Sequence, residues 1–367
     1  NNRSLTVHPN HLDGLHTLLA VVGSPQMCPS WSAIMRFPLH VTTDMLKHQI
    51  RHGLKGNTRY PFVLMIEPLY TCNLACLGCS VERHTGKIED RLTLQECLKA
   101  ADDSGAPVVS ICGGEPTIYP ELKGLVEGMI ARKRHIYLCT NGLMLDRTVY
   151  GLIAPHNRLT INIHLDGLRR THDQVCDREG VFDKALDMIK EGKRLGYRVT
   201  TNTTIFKETD LDAVEALCRL LREHQIDGML LSPGYSYASV ESDFFLAREE
   251  IHQKFQKVLE LSKQYRLIST PMFLEFAAGL REYPCSPWST VTYTPEGWRG
   301  PCYLIGEKYF RTFEEFWQGM DWDYWESRQD QRCYNCKMHS GFEASVVRGL
   351  RNSPKDMLRM AIWNFLE

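Results

Sequence analysis

The stretch Met65-Ile-Glu-Pro-Leu-Tyr-Thr-Cys-Asn-Leu-Ala-Cys-Leu-Gly-Cys79 joins an apolar, strand-like run to three closely spaced cysteines. Cys72, Cys76 and Cys79 have the spacing Cys-x3-Cys-x2-Cys. Three thiolates this close in sequence can ligate three irons of a 4Fe–4S cluster and leave the fourth iron without a protein ligand. Such an iron can bind and reduce a second cofactor, so the spacing predicts a site for chemistry.

Two other interpretations of this cysteine triplet stay open at this point. A structural zinc site usually adds a second cysteine pair within about 15–20 residues, and none follows the triplet there. Disulfides need an oxidising compartment, which nothing else in the sequence indicates. The spacing therefore favours an iron–sulfur cluster over zinc or disulfides without deciding among them.

The composition is typical of a globular protein in a reducing compartment. The 367 residues are 43% hydrophobic and 24% charged, enough for one large α/β domain and a smaller appendage. Lys and Arg number 43 against 44 Asp and Glu, so we expect no nucleic-acid partner. More than half of the 13 cysteines fall into two groups, which indicates metal ligation in the cytoplasm.

The beginning of the chain differs from the rest. Residues 1–34 do not share the later pattern, and Met35 resembles a natural start, so we assign residues 1–34 no function. Nowhere does the sequence approach the ~18 apolar residues that a membrane span needs.

From residue 61 to 234, apolar runs alternate with amphipathic stretches of helical period. The predicted strands are Pro61–Leu69, Pro107–Gly113, His135–Thr140, Arg158–Asp166, Arg198–Phe206 and Gly228–Pro233. The predicted helices include Thr93–Asp103, Glu121–Lys133, Phe182–Gly192, Leu211–His224 and Arg248–Gln264. Strands that are apolar on both faces require a parallel sheet covered by helices. Because six strands are too few for a closed eight-stranded barrel, the predicted fold is α/β, a partial (β/α)6 TIM-like barrel.

Polar residues follow the strands of this predicted barrel, where chemistry gathers in such folds. The triplet follows the first strand and Gly113-Gly-Glu-Pro116 the second. Asn141 follows the third strand, His164 and Asp166 end the fourth, and Ser232 ends the sixth. We expect these side chains to lie at one rim.

The triplet followed by Gly113-Gly-Glu-Pro116 resembles the radical S-adenosylmethionine (SAM) superfamily. The resemblance implies a 4Fe–4S cluster on the triplet and SAM bound beside it. A glycine pair exposes backbone groups to the amino and carboxylate ends of a ligand, and Glu115 could hold a ribose or an ammonium group. The residues expected to bind SAM are Gly113, Gly114, Glu115, Pro116, Asn141 and Ser232.

Within that superfamily the chain resembles the adenosyl-hopene transferases of hopanoid biosynthesis. The stretches that carry the resemblance are Arg59–Pro68, Ala106–Ile111, Ile136–Asn141, Leu231–Tyr235, Pro301–Leu304 and Cys333–Ala344. The resemblance implies addition of the 5′-deoxyadenosyl radical to the alkene of a hopene such as diploptene. It also implies an apolar triterpenoid substrate and an electron-donor protein such as flavodoxin or ferredoxin. The alternatives are hydrogen abstraction from another lipid, a nucleoside or a peptide, and a non-catalytic metal scaffold.

A product radical formed in this way needs a hydrogen-atom donor. Cys112 and Cys139 lie at the ends of the second and third predicted strands. They belong neither to the triplet nor to the group of cysteines in the tail of the chain. We predict that Cys139 is the donor, because it lies in a stretch that matches the family closely. A buried free cysteine is otherwise just a small apolar residue.

The tail supplies a second set of thiols, Cys285, Cys302, Cys333 and Cys336. Four thiolates are enough for a zinc ion or a second iron–sulfur cluster, and both remain open beside four unligated thiols. The predicted division is an N-terminal extension with a lead-in helix at 1–58, a radical SAM core at 59–270 and a cysteine-rich C-terminal domain at 271–367.

The tail is also rich in large apolar side chains. We expect its tryptophans, among them Trp288, Trp298 and Trp322, to pack in a core. Residues 353–366 have a helix cap, a proline in the first turn and an apolar face. This helix is expected to dock on the protein, with peripheral contact to the inner face of the membrane as the second alternative.

Overall fold

The computed structural model describes residues 35–79, 86–235 and 245–365. Residues 1–34, on which no function was placed, lie outside the described residues. Among the helices of the described ranges, none is long and apolar enough to cross a bilayer.

The described residues form one open sheet of nine strands in the order β6-β5-β4-β3-β2-β1-β7-β8-β9. The strands are β1 Val63–Ile66, β2 Val108–Ile111, β3 His135–Thr140, β4 Leu159–His164, β5 Arg198–Ile205, β6 Gly228–Pro233, β7 Thr290–Thr294, β8 Gly297–Pro301 and β9 Gly306–Phe310. All pairs from β1 to β6 are parallel. The predicted α/β partial barrel is therefore confirmed, and all six predicted strands form.

Helices follow the strands and cover the sheet. They are α1 Leu39–Leu54, α2 Leu94–Ser104, α3 Leu122–Ala131, α4 Leu145–Thr148, α5 Arg169–Val175, α6 Val181–Arg194, α7 Leu211–Glu223, α8 Arg248–Leu261, α9 Pro271–Ala277, α10 Phe313–Gly319, α11 Trp322–Ser327, α12 His339–Gly349 and α13 Pro354–Phe365. Thr93 and Glu96 form a capping box that starts α2, and Asp210 caps α7. These caps satisfy backbone amides that have no partner inside the helix.

The tail extends the sheet, which the sequence did not predict. β7 pairs in parallel with β1, with Val63 opposite Thr290, and β8 and β9 continue the sheet in antiparallel order. β7 and β8 are buried along their whole length, apart from the half-buried Tyr293. The tail strands thus close off the side of β1 that a six-strand sheet would leave as an edge.

The tryptophans of the tail pack in the core, as predicted. Trp288 and Trp298 are at most 1% exposed, and Trp322 is 6% exposed. These rings fill space between the tail helices and the tail strands and stabilise the fold by burying large apolar surfaces.

Glu343 of α12 joins this tail helix to the start of α9. Its carboxylate accepts hydrogen bonds from the backbone N and Oγ1 of Thr270, at 2.9 and 2.7 Å. The same Thr270 hydroxyl accepts from Phe273 N and caps α9. Burial raises the pKa of Glu343 to about 7, although the bonds from Thr270 act in the opposite direction.

Replacing Glu343 with glutamine should remove a pH-dependent part of the stability. The folded-state pKa is above the unfolded one, so the folded protein binds more protons and loses stability as pH rises from about 5 to about 7. Relative to Glu343→Gln, the wild type should lose about 2–3 kcal/mol over this range. Urea denaturation of both proteins at pH 5 and pH 8 measures the free energy of unfolding. An equal change with pH in the wild type and in Glu343→Gln would contradict this role of Glu343.

Candidate active site

The three cysteines of the triplet lie on the loop that follows β1, and each is half-buried. Leu77 N donates to the carbonyl of Val175 at 2.8 Å, which fastens the loop to the end of α5. Leu74 N donates to Cys72 Sγ at 3.4 Å, a bond typical of thiolates that ligate iron. The loop is therefore anchored on one side, at the end of α5.

The glycine pair after β2 packs against the backbone of the triplet loop. A Cβ on Gly113 would lie 2.5 Å from the carbonyl oxygen of Leu69, and a Cβ on Gly114 would lie 2.0 Å from that of Thr71. The Gly114 amide donates to Leu69 O at 2.9 Å, and the Glu115 amide to Thr71 O at 3.0 Å. These two amides are bonded to the loop, and two residues without side chains allow the backbones to pack this closely. Contact of the glycine pair with SAM stays a prediction.

The carboxylate of Glu115 joins the ends of β2 and β3. It accepts four hydrogen bonds, from the backbone N and hydroxyl of Thr117, the hydroxyl of Thr140 and the backbone N of Asn141. Glu115 is 1% exposed, and burial raises its pKa against the effect of these bonds. The observed contacts make Glu115 a support for the rim, and a contact with a ribose or ammonium group stays a prediction.

Asn141 connects this rim to the triplet loop. Its Nδ2 donates to Asn73 Oδ1 at 2.7 Å, and its Oδ1 accepts from Leu143 N at 3.0 Å. The structure thus brings the triplet loop, Gly113–Pro116 and Asn141 together. Ser232 is buried at the end of β6, and three strands separate β6 from β2 in the sheet.

Cys139 lies in the middle of a polar ladder across four neighbouring strands. Its Sγ is 3.4 Å from Ser110 Oγ on β2 and 3.6 Å from Asn162 Nδ2 on β4. Asn162 Oδ1 in turn accepts from the hydroxyl of Thr200 on β5 at 2.9 Å. Burial raises the pKa of Cys139, and the contacts with Ser110 and Asn162 only partly oppose this effect. The thiol therefore keeps its hydrogen at neutral pH.

His164 and Asp166 form a close pair at the end of β4. His164 Nε2 is 2.6 Å from Asp166 Oδ2, and Asn202 Nδ2 is 3.3 Å from His164 Nδ1. Burial alone would lower the pKa of His164, but the charge and hydrogen bond of Asp166 raise it to about 9. Asp166 also accepts from Thr204 N at 2.8 Å, so the pair links β4 to β5.

Glu67, directly after β1, is fully buried and paired with Arg299. Arg299 reaches it from β8 with an N···O distance of 3.1 Å. This buried pair ties the end of β1 to the tail strands, a role that the sequence could not indicate because 232 positions separate the two residues.

Cys176, directly after α5, is a thiol beside the triplet that the sequence analysis missed. It is 2% exposed, lies 3.6 Å from His172 Nε2, and packs in one apolar cluster with Leu74, Cys72 and Cys76. Contact with Cys176, together with burial, raises the pKa of Cys76. A single cysteine in a helix pattern carries no signal of its own, so only the fold places it here.

The triplet fits a cluster in which the protein ligates three irons. Burial and the nearby Glu115, Cys76 and Cys79 raise the pKa of Cys72 to about 12, so thiolates here need a cation to stabilise them. In the three described ranges, no three His, Cys, Asp or Glu side chains converge closely enough to hold a single metal ion. Three half-buried thiols on one loop match the donor set of a cluster with three protein-ligated irons, and the cluster stays a prediction.

The four tail cysteines also come together. Cys285, Cys302, Cys333 and Cys336 all line one small cavity of about 30 Å³ between β8, α11 and the start of α12. The sequence proposed this set of four from residue type alone, and the structure places them around the same space.

Sequence and structure comparisons agree with this geometry. Residues 66–244 match the model of the radical SAM superfamily, and residues 229–360 match a domain of unknown function, DUF3463. The chain is 28% identical to Fe-coproporphyrin III synthase of Methanosarcina barkeri over 53% of this chain, and it spans only about half (49%) of that protein. It is 28% identical to GTP 3′,8-cyclase of Alkaliphilus metalliredigens over 63% of this chain and 77% of the relative.

The fold is similar to that of a solved structure as well. The crystal structure of Streptococcus suis SuiB bound to S-adenosylmethionine matches with a TM-score of 0.59 and 17% identity, over 80% of this chain and 71% of SuiB. The match over residues 66–244 identifies a radical SAM core in just under half of this chain, and the strand-end site and the parallel partial barrel agree with that match.

Proposed function

We propose that this protein is a radical SAM adenosyltransferase that joins the 5′-deoxyadenosyl group of SAM to the alkene of a hopene, giving adenosylhopane. Cys72, Cys76 and Cys79 would hold the 4Fe–4S cluster, which when bound supplies the electron that cleaves SAM. The proposal is supported by the radical SAM match over residues 66–244 and by the family-like stretches on both sides of the site, from Arg59 to Ala344. An electron-donor protein such as flavodoxin or ferredoxin would supply the reducing equivalents.

The observation that carries the proposal is the position of the Cys139 thiol in the polar ladder, between Ser110 and Asn162. Addition of an adenosyl group to an alkene leaves an unpaired electron on the neighbouring carbon. A thiol can end this state because its S–H bond breaks as the new C–H bond forms. A sulfur radical remains on Cys139, and one electron from the donor protein with one proton from solvent restores the thiol. Ser110 and Asn162 hold the sulfur in place for this transfer.

Replacing Cys139 with alanine should stop formation of the saturated product while SAM is still consumed. Cys112 provides the matched control, since it is a second half-buried cysteine on the same strand-end region, and Cys112→Ala should keep the wild-type product. Both variants are assayed anaerobically with SAM, a reductant and diploptene, and the products are read by mass spectrometry. Normal adenosylhopane from Cys139→Ala would remove Cys139 from the mechanism.

A cavity at the carboxyl ends of β5 and β6 is large enough for a ligand. It has a volume of about 660 Å³, within the usual range of about 300–1,000 Å³ for ligand pockets. Its apolar wall comprises Tyr235, Phe245, Leu246, Leu304 and Ile305, and its charged residues are Lys207, Glu250, Glu307 and Arg332. A mixed lining of this kind is compatible with a substrate that carries an apolar body and a polar end.

A lipid substrate has to be collected from a membrane, and α1 offers a surface for that contact. Leu39, Leu46, Ile50 and Leu54 share one face of α1 and are 53–86% exposed. The exposed basic residues beside them are Lys47, Arg51 and Lys55. The C-terminal helix α13, in contrast, docks on the protein through its buried Trp363 and Asn364. Asn364 Oδ1 accepts a hydrogen bond of 2.7 Å from the backbone N of Phe37, which lies two residues before α1.

We propose that α1 makes peripheral contact with the anionic inner leaflet, since apolar residues flanked by basic ones are typical of such helices. Sedimentation with anionic vesicles tests this contact. Leu46→Glu together with Ile50→Glu should abolish it, and equal sedimentation of variant and wild type would refute it.

A further inference from the structure

The first strand, β1, has two faces with different surroundings. Leu64 and Ile66 are fully buried, whereas Val63 and Met65 alternate with them and are half-buried. Successive side chains of a strand point to opposite faces of the sheet, so Met65 lies on the face opposite to Leu64 and Ile66. This face of β1 is therefore the one that its neighbours do not cover completely.

The register of the sheet places Met65 beside the polar ladder of Cys139. Met65 lies directly opposite Ser110 of β2, and residues opposite each other on neighbouring strands point to the same face. The hydroxyl oxygen of Ser110 is in turn 3.4 Å from Cys139 Sγ. Met65 is thus the neighbour of the ladder residue that contacts the thiol.

Met65 also contacts the tail. Met65 and Tyr235 both pack against one apolar cluster, which consists of Tyr303, Leu304, Ile305, Trp325 and Met338. Tyr235, Leu304 and Ile305 line the cavity of about 660 Å³ at the carboxyl ends of β5 and β6. Met65 therefore connects the wall of this cavity to the ladder that holds Cys139.

The cavity lies between segments that follow opposite edges of the open sheet. Tyr235 follows β6, and its hydroxyl donates to the carbonyl oxygen of Arg332 at 3.0 Å. Leu304 and Ile305 lie between β8 and β9. Because β6 and β9 are the two edge strands, a molecule in this cavity would approach the ladder from the gap between the edges.

The side chain of methionine suits a position between a rigid hydrocarbon and a reacting group. Its unbranched thioether has three rotatable bonds and adapts to the shape of whatever lies beside it. A polycyclic hydrocarbon cannot adapt in this way, so the neighbouring side chain decides where the hydrocarbon comes to rest. Reacting atoms have to come within about 3–3.5 Å of each other, and a displacement of about 1 Å can cost a hundredfold in rate.

We propose that the cavity holds the ring system of the substrate and that Met65 sets how closely the alkene end approaches Cys139. Met65 is a positioning residue, since it would contact the hydrocarbon without forming a bond to it. The inference rests on the function proposed above for the class of substrate, a rigid polycyclic alkene.

Binding of a saturated hopane tests the cavity separately from the reaction, because a hopane without an alkene cannot react. The probe is tritium-labelled hopane, delivered from cyclodextrin to the anaerobically reconstituted full chain. Ala247 is half-buried, directly precedes α8 and lines the cavity, so Ala247→Trp would fill part of the space. We expect this variant to bind hopane at least about tenfold more weakly than the wild type.

Ala154→Trp is the matched control, because Ala154 is exposed and does not line the cavity. It should bind hopane like the wild type. Equal binding by Ala247→Trp and the wild type would overturn the assignment of the cavity, and so would a wild type that binds no hopane.

Substitutions of Met65 test the positioning role. Met65→Phe should lower the rate of adenosylhopane formation about 10–100-fold, because a rigid ring displaces the alkene end. Its Kd for hopane should not change, since Met65 is not among the residues that line the cavity. Met65→Leu conserves the volume and should keep most of the rate.

Met65→Ala keeps the test decisive where Met65→Phe fails to fold, because it removes a contact without overpacking. It should also lower the rate and leave hopane binding unchanged. Wild-type rates in both variants would overturn the proposal. Loss of hopane binding in both would overturn it as well, because Met65 would then hold the ring system and not place its end.

The two measurements distinguish this inference from the transferase reaction. A wild type that binds hopane but makes no adenosylated product from diploptene would contradict the transferase and leave the cavity assignment standing. A wild type that makes adenosylhopane, with Ala247→Trp equally fast and equally able to bind hopane, would leave the transferase standing and overturn the cavity assignment.

Discussion

Replacing Cys76 with alanine should abolish reductive cleavage of SAM. The thiolate is one of three that would hold the cluster. Loss of an outer-shell partner typically lowers metal affinity or activity about 10–100-fold, and loss of a ligand should lower them further. The triplet loop has its other anchors elsewhere, at Val175 and at the glycine pair, so the fold should survive. Release of 5′-deoxyadenosine and methionine from reduced protein measures the effect, together with the iron content of the triplet.

Cys97→Ala is the control for this substitution. Cys97 is a fully buried thiol of α2, outside the triplet loop, and its loss should leave SAM cleavage unchanged. Cleavage by Cys76→Ala at the wild-type rate would show that the triplet does not carry the chemistry.

Gly114→Ala should destabilise the protein and lower its iron content, although residue 114 carries no ligand. The added Cβ would lie 2.0 Å from Thr71 O, so either the turn after β2 or the triplet loop has to move. Overpacking of this kind typically costs about 1–3 kcal/mol, and here the backbone that must shift immediately precedes Cys72. We therefore expect a lower melting temperature and a loss of iron from the triplet in the same variant.

Gly53 of α1 provides the contrast, since a Cβ there meets nothing within 4 Å. Gly53→Ala should be neutral or stabilise the helix by up to about 1 kcal/mol. Thermal denaturation and iron analysis of both variants make the comparison. Full iron content and unchanged stability in Gly114→Ala would contradict the packing described for the rim.

Much of the barrel could be predicted because its signals are local. His135–Thr140 and Gly228–Pro233 form strands with the predicted bounds, since an apolar run between turn residues defines a buried strand. The capping box of Thr93 and Glu96 marks the start of α2 within one turn of sequence. Strand order from β1 to β6 then follows from the βα alternation.

The parts that were missed depend on contacts between distant residues. β7 pairs with β1 across more than two hundred residues, and its Thr-rich sequence carries no strong apolar run. Cys176 reaches the triplet, and Arg299 reaches Glu67, only through the closed fold. The role of Glu115 could not be predicted either, because its partners are distant in sequence: Thr140 ends β3 and Asn141 directly follows that strand.

We propose that the adenosyl group of SAM is added to a hopene and that Cys139 supplies the hydrogen. Turnover in deuterated water tests both points most directly. A thiol exchanges its hydrogen with solvent, so Cys139 in D2O would deliver deuterium to the product carbon. Anaerobic turnover with SAM, a reductant and diploptene should give adenosylhopane carrying one solvent deuterium, seen by mass spectrometry. Formation of 5′-deoxyadenosine alone, without an adenosylated hopane, would contradict the transferase.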